Sequence, residues 1–192
     1  MNLYIEKNGY KDYLEIGLDS GICRDSVNIE NKTTVDPDVR TMNPTHLMTS
    51  DEFFAQNKET FDIIFIDGLH HGEQVLKDIQ NSLEILNDGG MIFCHDMMPT
   101  TEEVQRVPRP IPHGVWTGDG WKAWAKLKGT MDNLNMFIVG DDWGVGVVEF
   151  GKQEIIPELD IDMEKMDWSF YCEHREKLNY ISVDELKELV TK

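Results

Sequence analysis

Positive charge is scarce in this chain. Against 36 acidic residues there are 18 lysines and arginines, so the formal net charge is −18 and the pI lies near 4.5. A field of that sign repels phosphate backbones and anionic headgroups, which makes nucleic acid and membrane surfaces poor partners. The acidity is spread along the sequence, as on a solvated surface. Cysteine is scarce too: Cys23, Cys94 and Cys172 are odd in number and far apart. They form neither a disulfide framework nor a zinc pattern, which suits a reducing cytosol. No apolar run reaches the length that spans a bilayer, and no basic-then-apolar leader follows Met1. Repeats and low-complexity stretches are also missing. What is left is one domain of 192 residues, expected to be soluble and cytoplasmic.

The chain is organised around Phe61 to Asp96, FDIIFIDGLHHGEQVLKDIQNSLEILNDGGMIFCHD. Phe61 to Ile66 is too short for a helix and too uniformly apolar for a half-exposed strand. That is the pattern of a strand buried on both faces of a parallel sheet. After Asp67-Gly68, the spacing of Val75, Ile79, Leu83 and Leu86 predicts a helix with one inward stripe. Asn87 to Gly90 is expected to end it, because these residues tolerate left-handed backbone. A second strand, Met91 to Cys94, leads into His95-Asp96. A right-handed crossover pairs the two strands in parallel. Asp67, His70 and His71 then share one sheet edge with His95 and Asp96, the edge where open α/β sheets bind ligands.

Before this unit, residues 1–12 read as polar and irregular. Tyr13 to Gly17 is a short strand that turns through Leu18 to Gly21 into a helix reaching about Ile29. Lys32 to Val35 is a strand ending at Asp36-Pro37, and Thr45 to Met48 a further short one. Thr49 to Glu52 has the capping-box spacing that opens a helix bearing Phe53 and Phe54. After the unit, Met97 to Gly120 carries Pro99, Pro108, Pro110 and Pro112 without periodicity. A loop of that length inside a domain is expected to be functional, here a lid over 97–122. Strands at 135–139 and 145–150 flank the turn Gly140 to Gly144. An acidic helical tail, 151–192, ends in a helix that starts at the capping box Ser182 to Glu185. Together these predict a single α/β domain with a mostly parallel sheet and an antiparallel C-terminal hairpin.

Glu15-Ile-Gly-Leu-Asp-Ser-Gly21 puts glycines at a strand-to-helix junction, where backbone can approach a ligand and the helix end offers N–H groups. Asp36, at the end of the next strand, suits a carboxylate that accepts hydrogen bonds from two ribose hydroxyls. The spacing is not Gly-x-Gly-x-x-Gly, which disfavours an oxidoreductase on the same sheet. Glu-Ile-Gly-x-x-x-Gly, Val35-Asp36-Pro37, Phe65-Ile66-Asp67-Gly68-x-His70 and His95-Asp96, in that order, resemble a class I S-adenosylmethionine-dependent methyltransferase of Rossmann-like fold. More narrowly, they resemble the small O-methyltransferases of macrocin and mycinamicin type, with catechol O-methyltransferase more distant. The resemblance runs from about residue 13 to 150.

The resemblance implies a role for each matched position. Glu15, Gly17, Ser20 and Gly21 would surround the amino-acid end of S-adenosylmethionine, Asp36 its ribose, and Ser50 and Asp51 its adenine, with Asp67 also beside it. Asp67, His95 and Asp96 would bind a divalent metal, and His70 would be the general base, working with Asp67. Relatives carry Asp-Asn or Glu-Asp where this chain has His95-Asp96. Histidine suits zinc, iron or manganese better than magnesium, and a metal-free site is the other reading.

The residues point to the same chemistry. Methyl transfer from a sulfonium needs a placed oxygen nucleophile and a nearby base, and histidine titrates near neutrality. The acceptor is expected to be a small molecule, a sugar or sugar-bearing one. For it, His71, Trp116, Asp119, Trp121 and Lys122 would offer aromatic faces and polar groups. The bland reading of Trp121, with Trp124, is that they anchor the loop to the core. A non-catalytic cofactor-binding or partner-binding protein is the competing function, and assembly into a homo-oligomer stays open.

Overall fold

The computed structural model describes residues 1–110 and 114–191. Its helices are α1 (Asn2–Asn8), α2 (Ile22–Ser26), α3 (Ser50–Gln56), α4 (Gly72–Glu84), α5 (Trp121–Thr130), α6 (Trp168–His174) and α7 (Val183–Thr191). Its strands are β1 (Asp12–Ile16), β2 (Asn31–Val35), β3 (Phe61–Ile66), β4 (Leu86–Cys94), β5 (Leu134–Val139), β6 (Val145–Phe150) and β7 (Tyr180–Ile181). The seven strands form one sheet in the order β2-β1-β3-β4-β6-β5-β7. Neighbours run parallel except at β6, which is antiparallel to both β4 and β5. The expected mixed sheet with its hairpin is what forms.

β3 shows how the sheet is covered. Ile64 and Ile66 belong to a core shared with Val75 and Ile79 of α4 and with Trp124 and Leu127 of α5. Ile63 and Phe65 belong to another, shared with Ile5 of α1 and Val27. A side-chain period of two sends alternate residues to opposite faces, so an all-apolar strand needs cover on both. The tail completes that cover. Leu159, Met166, Tyr171 and Leu178 join the first core, while Val183 and Leu186 of α7 pack on the second.

Several local expectations fail, each for a visible reason. Residues 2–8 are helical, because Gly9 caps α1 in a left-handed conformation and Ile5 finds a place in the core. α2 stops at Ser26, short of Ile29. Thr45 to Met48 makes only an isolated bridge, His46 to Val35, while the Thr45 hydroxyl bonds the Thr34 backbone instead. α4 ends at Glu84, and Asn87 to Gly90 lies inside β4. There the pairing with β3 shifts register between Phe61 and Ile63, which is how the strand absorbs Gly89 at φ +76°. The tail is not purely helical, since it supplies β7 at the edge of β5. The capping boxes at Thr49–Glu52 and Ser182–Glu185 both form. Pro112 of the proline-bearing loop lies outside the described residues. No helix among the described residues is long and apolar enough to cross a membrane.

Candidate active site

β1, β3 and β4 lie side by side, and the residues just beyond them wall a cavity of about 760 Å³. Gly17 leaves β1 at φ +88°, where a β-carbon would overlap the carbonyl oxygen of Asp67. The glycine turn therefore rests directly on the first residue of an acidic cluster. Asp67 follows β3 with its N–H on Ile16 O at 2.8 Å, and His95 follows β4 with its N–H on Ile66 O at 3.0 Å. Asp96, buried and in left-handed backbone at φ +61°, also lines the cavity.

Two imidazoles stand among these carboxylates. His70 Nε2 lies 3.4 Å from Asp67 Oδ1, and His70 Nδ1 lies 2.8 Å from Asp96 Oδ2. The second contact is short but not aligned as a hydrogen bond, so Nδ1 is buried without a partner. His95 Nδ1 is 3.2 Å from Asp67 Oδ1, and its Nε2 is 3.3 Å from Asp142 Oδ2. Burial alone would lower the pKa of both rings. Contact with Asp67 and Asp96 outweighs it at His70, which is raised to about 10. Contact with Asp67, helped by the Asp96 and Asp142 charges, raises His95 to about 9. Burial pushes Asp67 up, but the two rings hold it below the usual carboxylate range. Asp67, His95 and Asp96 each bring one ligand atom within 4.8 Å of the others, a mixed oxygen and nitrogen set.

The other end of the cavity holds Asp36, Ser50 and Asp51. Asp36 Oδ2 accepts from the N–H groups of Leu18 and Asp19 at 2.8 and 3.3 Å, and its Oδ1 accepts from Asp38 N–H at 2.8 Å. A carboxylate has about four lone-pair sites, so roughly one is left for a ligand, not the two expected. Asp36 ties the glycine turn to the end of β2 as well as facing the cavity. Asp51 is held by Lys77 at 2.6 Å, and the Gln74 amide reaches both Ser50 and Asp51. Glu15 is not part of the wall: it is buried, accepts from the Tyr13 hydroxyl at 2.6 Å, and burial chiefly raises its pKa to about 7. Ser20 is exposed and Gly21 caps α2 at φ +73°, and neither lines the cavity.

The residues expected to meet an acceptor divide into three groups. Trp116 reaches the cavity and stacks on His70, with ring centroids 5.3 Å apart and planes 8° apart. Arg109 lines the same wall, its guanidinium 5.5 Å from the Trp116 ring centre. His71, Asp119 and Lys122 line a separate hollow of about 190 Å³. There Asp119 accepts from Gly72 N–H at 2.7 Å and pairs with Lys122 at 2.9 Å, which fastens the loop to the start of α4. Trp121 is a correction: it is 1% exposed, its N–H is on Gln105 Oε1, and it packs against Tyr171. It anchors the loop, while Trp124 fastens α5 to the tail through its N–H to Leu178 O. Sequence reading missed Asp142 and Arg109. Each stands in a loop where the local pattern gives no sign of what it will face.

The loop carrying Trp116 is docked, not loose, over its described residues. Thr117 and Gly118 N–H both reach Val104 O, and Asp119 N–H reaches His70 O at 3.0 Å. Gly118 sits so close to His70 that a β-carbon would overlap the His70 carbonyl.

Residues 14–97 match the family described as a methyltransferase domain. No curated protein sequence matches. Among solved structures, an SAH-bound methyltransferase from Podospora anserina superposes with a TM-score of 0.54 at 18% identity, covering 78% of this chain and 76% of that one. An O-methyltransferase from Bacillus cereus in complex with SAH gives 0.51 at 15%, covering 77% and 76%. The O-methyltransferase of tomaymycin synthesis from Streptomyces achromogenes, in complex with SAM, gives 0.51 at 13%, covering 77% and 75%. At such identities the likeness is one of fold.

Proposed function

We propose, from the match of residues 14–97 to a methyltransferase domain family and the fold shared with SAH-bound methyltransferases, that the chain moves the methyl group of S-adenosylmethionine to a hydroxyl of a small molecule. The observation that carries this reading is the shared wall of Gly17, Asp67, His70 and Asp96. A turn that only glycine can make lies against the groups able to take a hydroxyl proton. The cavity volume is within the range of sites for small ligands. Nothing favours a non-catalytic role.

Bound with its amino-acid end over Gly17, the sulfonium would supply an electrophilic methyl carbon. Asp36 would accept from one ribose hydroxyl, and Ser50 and Asp51 would lie toward the adenine. At the other end an acceptor hydroxyl, set beside His70, would form the new O–C bond as the S–C bond breaks, and its proton would pass to a His70 nitrogen. Trp116 and Arg109 would flank the acceptor, where an aromatic face suits the C–H face of a sugar ring.

The donor set of Asp67, His95 and Asp96 fits a divalent cation, and the unpartnered His70 Nδ1 beside Asp96 fits a carboxylate meant to be shared. Mixed imidazole and carboxylate donors favour manganese, iron or zinc over magnesium. Such an ion would lower the pKa of a bound hydroxyl. Contact with Asp67 and Asp96 raises the His70 pKa, and a ligand that drew on those charges would favour the neutral ring that accepts a proton. The site would act in the cytoplasm on a soluble acceptor.

Calorimetry with S-adenosylhomocysteine, then a methyl-transfer assay over sugars and other polyols, tests the reading. His70→Ala should lower turnover roughly 10²–10⁴-fold with cofactor affinity unchanged. Tight NADH binding with no response to S-adenosylhomocysteine would sink the methyltransferase reading.

A further inference from the structure

We infer that Asp142, on the β5–β6 turn, is the positioning residue of His95: it holds the Nε2–H and turns Nδ1 toward Asp67 and Asp96 for the cation. This rests on the metal reading of Asp67, His95 and Asp96 given above. Acidic oxygens flank both nitrogens of the ring, with the Asp142 side chain 73% exposed on the solvent side. Nε2 lies 3.3 Å from Asp142 Oδ2 and Nδ1 lies 3.2 Å from Asp67 Oδ1. A histidine that ligates a metal through one nitrogen commonly donates the other N–H to a carboxylate, which fixes both tautomer and ring orientation. Of the two carboxylates, Asp67 belongs to the ligand set and Asp142 does not.

The turn is built to deliver this side chain. Asp142, Trp143 and Gly144 run in succession through left-handed backbone, at φ +46°, +60° and +88°. Two of the three are not glycine, and such residues persist there only when their surroundings hold them. What holds them is the segment just after Asp96. Met97 N–H bonds Gly144 O at 2.9 Å, and Met98 N–H bonds Trp143 O at 2.7 Å. Gly144 also lies so close to Met98 that a β-carbon would meet its backbone nitrogen. The chain leaving the candidate metal site is thus bonded to the turn that carries Asp142, and the two cannot shift independently.

The test uses Asp142→Gly and Asp142→Asn. Glycine keeps the left-handed backbone and removes the acceptor; asparagine keeps both the backbone and a carbonyl acceptor. Zinc affinity is read by calorimetry, and the His95 tautomer in the zinc-loaded protein by imidazole ¹⁵N shifts. We expect Asp142→Gly to weaken zinc roughly 10–100-fold and to mix the His95 tautomers, with Asp142→Asn recovering most of both. The melting temperature of each metal-free variant should stay close to wild type. Wild-type zinc affinity and an unchanged tautomer in Asp142→Gly would overturn the assignment while leaving the metal reading standing. A wild-type protein that binds neither zinc nor manganese would overturn the metal reading, and this inference with it.

Discussion

Gly17 packs its α-carbon against the backbone of Asp67, so that the turn after β1 and the acid after β3 form one surface. A methyl group at Gly17 faces two costs. Left-handed backbone at φ +88° costs a non-glycine residue about 1–2 kcal/mol, and the overlap with Asp67 O must be relieved by moving backbone. Gly17→Ala is therefore expected to lower the melting temperature and abolish measurable S-adenosylhomocysteine binding. Wild-type calorimetry for this variant would show that the ligand does not approach the turn.

Asp36 separates a structural from a binding role. Asp36→Asn turns an acceptor-only group into an amide that can satisfy fewer of the N–H groups of Leu18, Asp19 and Asp38. Each buried donor left without a partner costs about 1–3 kcal/mol. The variant should lose stability in the absence of ligand, measured by urea unfolding, as well as affinity for S-adenosylhomocysteine. If only affinity falls, the three backbone bonds contribute little and Asp36 serves the ligand alone.

Periodicity and order along the chain made the sheet legible, and contacts made across the fold hid the rest. β3, α4 and the strand leading to His95 could be read because apolar spacing reports burial directly, and that reading placed Asp67, His70, His95 and Asp96 on one edge. Asn87 to Gly90 misled, because residues that end helices also make bulges, and the choice depends on β3 lying alongside. Trp121 could be read two ways: an aromatic in a Gly-rich segment suits a contact surface or an anchor, and its enclosure by Tyr171 and Gln105 decides for the anchor. Asp142 was invisible. The antiparallel pairing of β6 with β4 and the hydrogen bonds from Met97 and Met98 bring its turn to His95.

Trp116 lies flat on the proposed base. Stacked aromatic pairs contribute about 0.5–1.5 kcal/mol beyond simple burial, and the same face would border an acceptor. Trp116→Ala should raise the acceptor KM roughly tenfold and leave S-adenosylhomocysteine affinity within about twofold of wild type. Equal losses of both would place Trp116 in the structure of the whole cavity and not at the acceptor end.

Lys128 tests the fold away from the site. Its amine is buried on α5 with one hydrogen bond, to Met136 O at 2.9 Å, and desolvation lowers its pKa to about 8. A lysine lowered on folding destabilises the native state while both states are charged, and that penalty fades as pH rises from about 8 toward 10.5. Lys128→Met replaces the charge with a chain of similar length. We expect it to raise stability by about 1–2 kcal/mol at pH 7, with the gain shrinking by pH 10. A gain that does not change with pH would trace to packing alone.

His70 has the opposite sign. Its folded-state pKa is raised from 6.5 to about 10, because Asp67 and Asp96 outweigh the effect of burial. A histidine raised on folding stabilises the native state fully below pH 6.5, and that contribution drains away as pH climbs through 10. His70→Gln should therefore lower the melting temperature of the metal-free protein most at pH 6 and least near pH 10. Comparing the variant with wild type at each pH cancels the titrations of Glu15 and Lys128, which both share. Saturating manganese should shrink the pH 6 gap, since the carboxylates that hold the proton on His70 are then engaged by the cation. A gap of constant size from pH 6 to 10 would mean that His70 is not charged by these neighbours. Its suitability as a base would then need no cation.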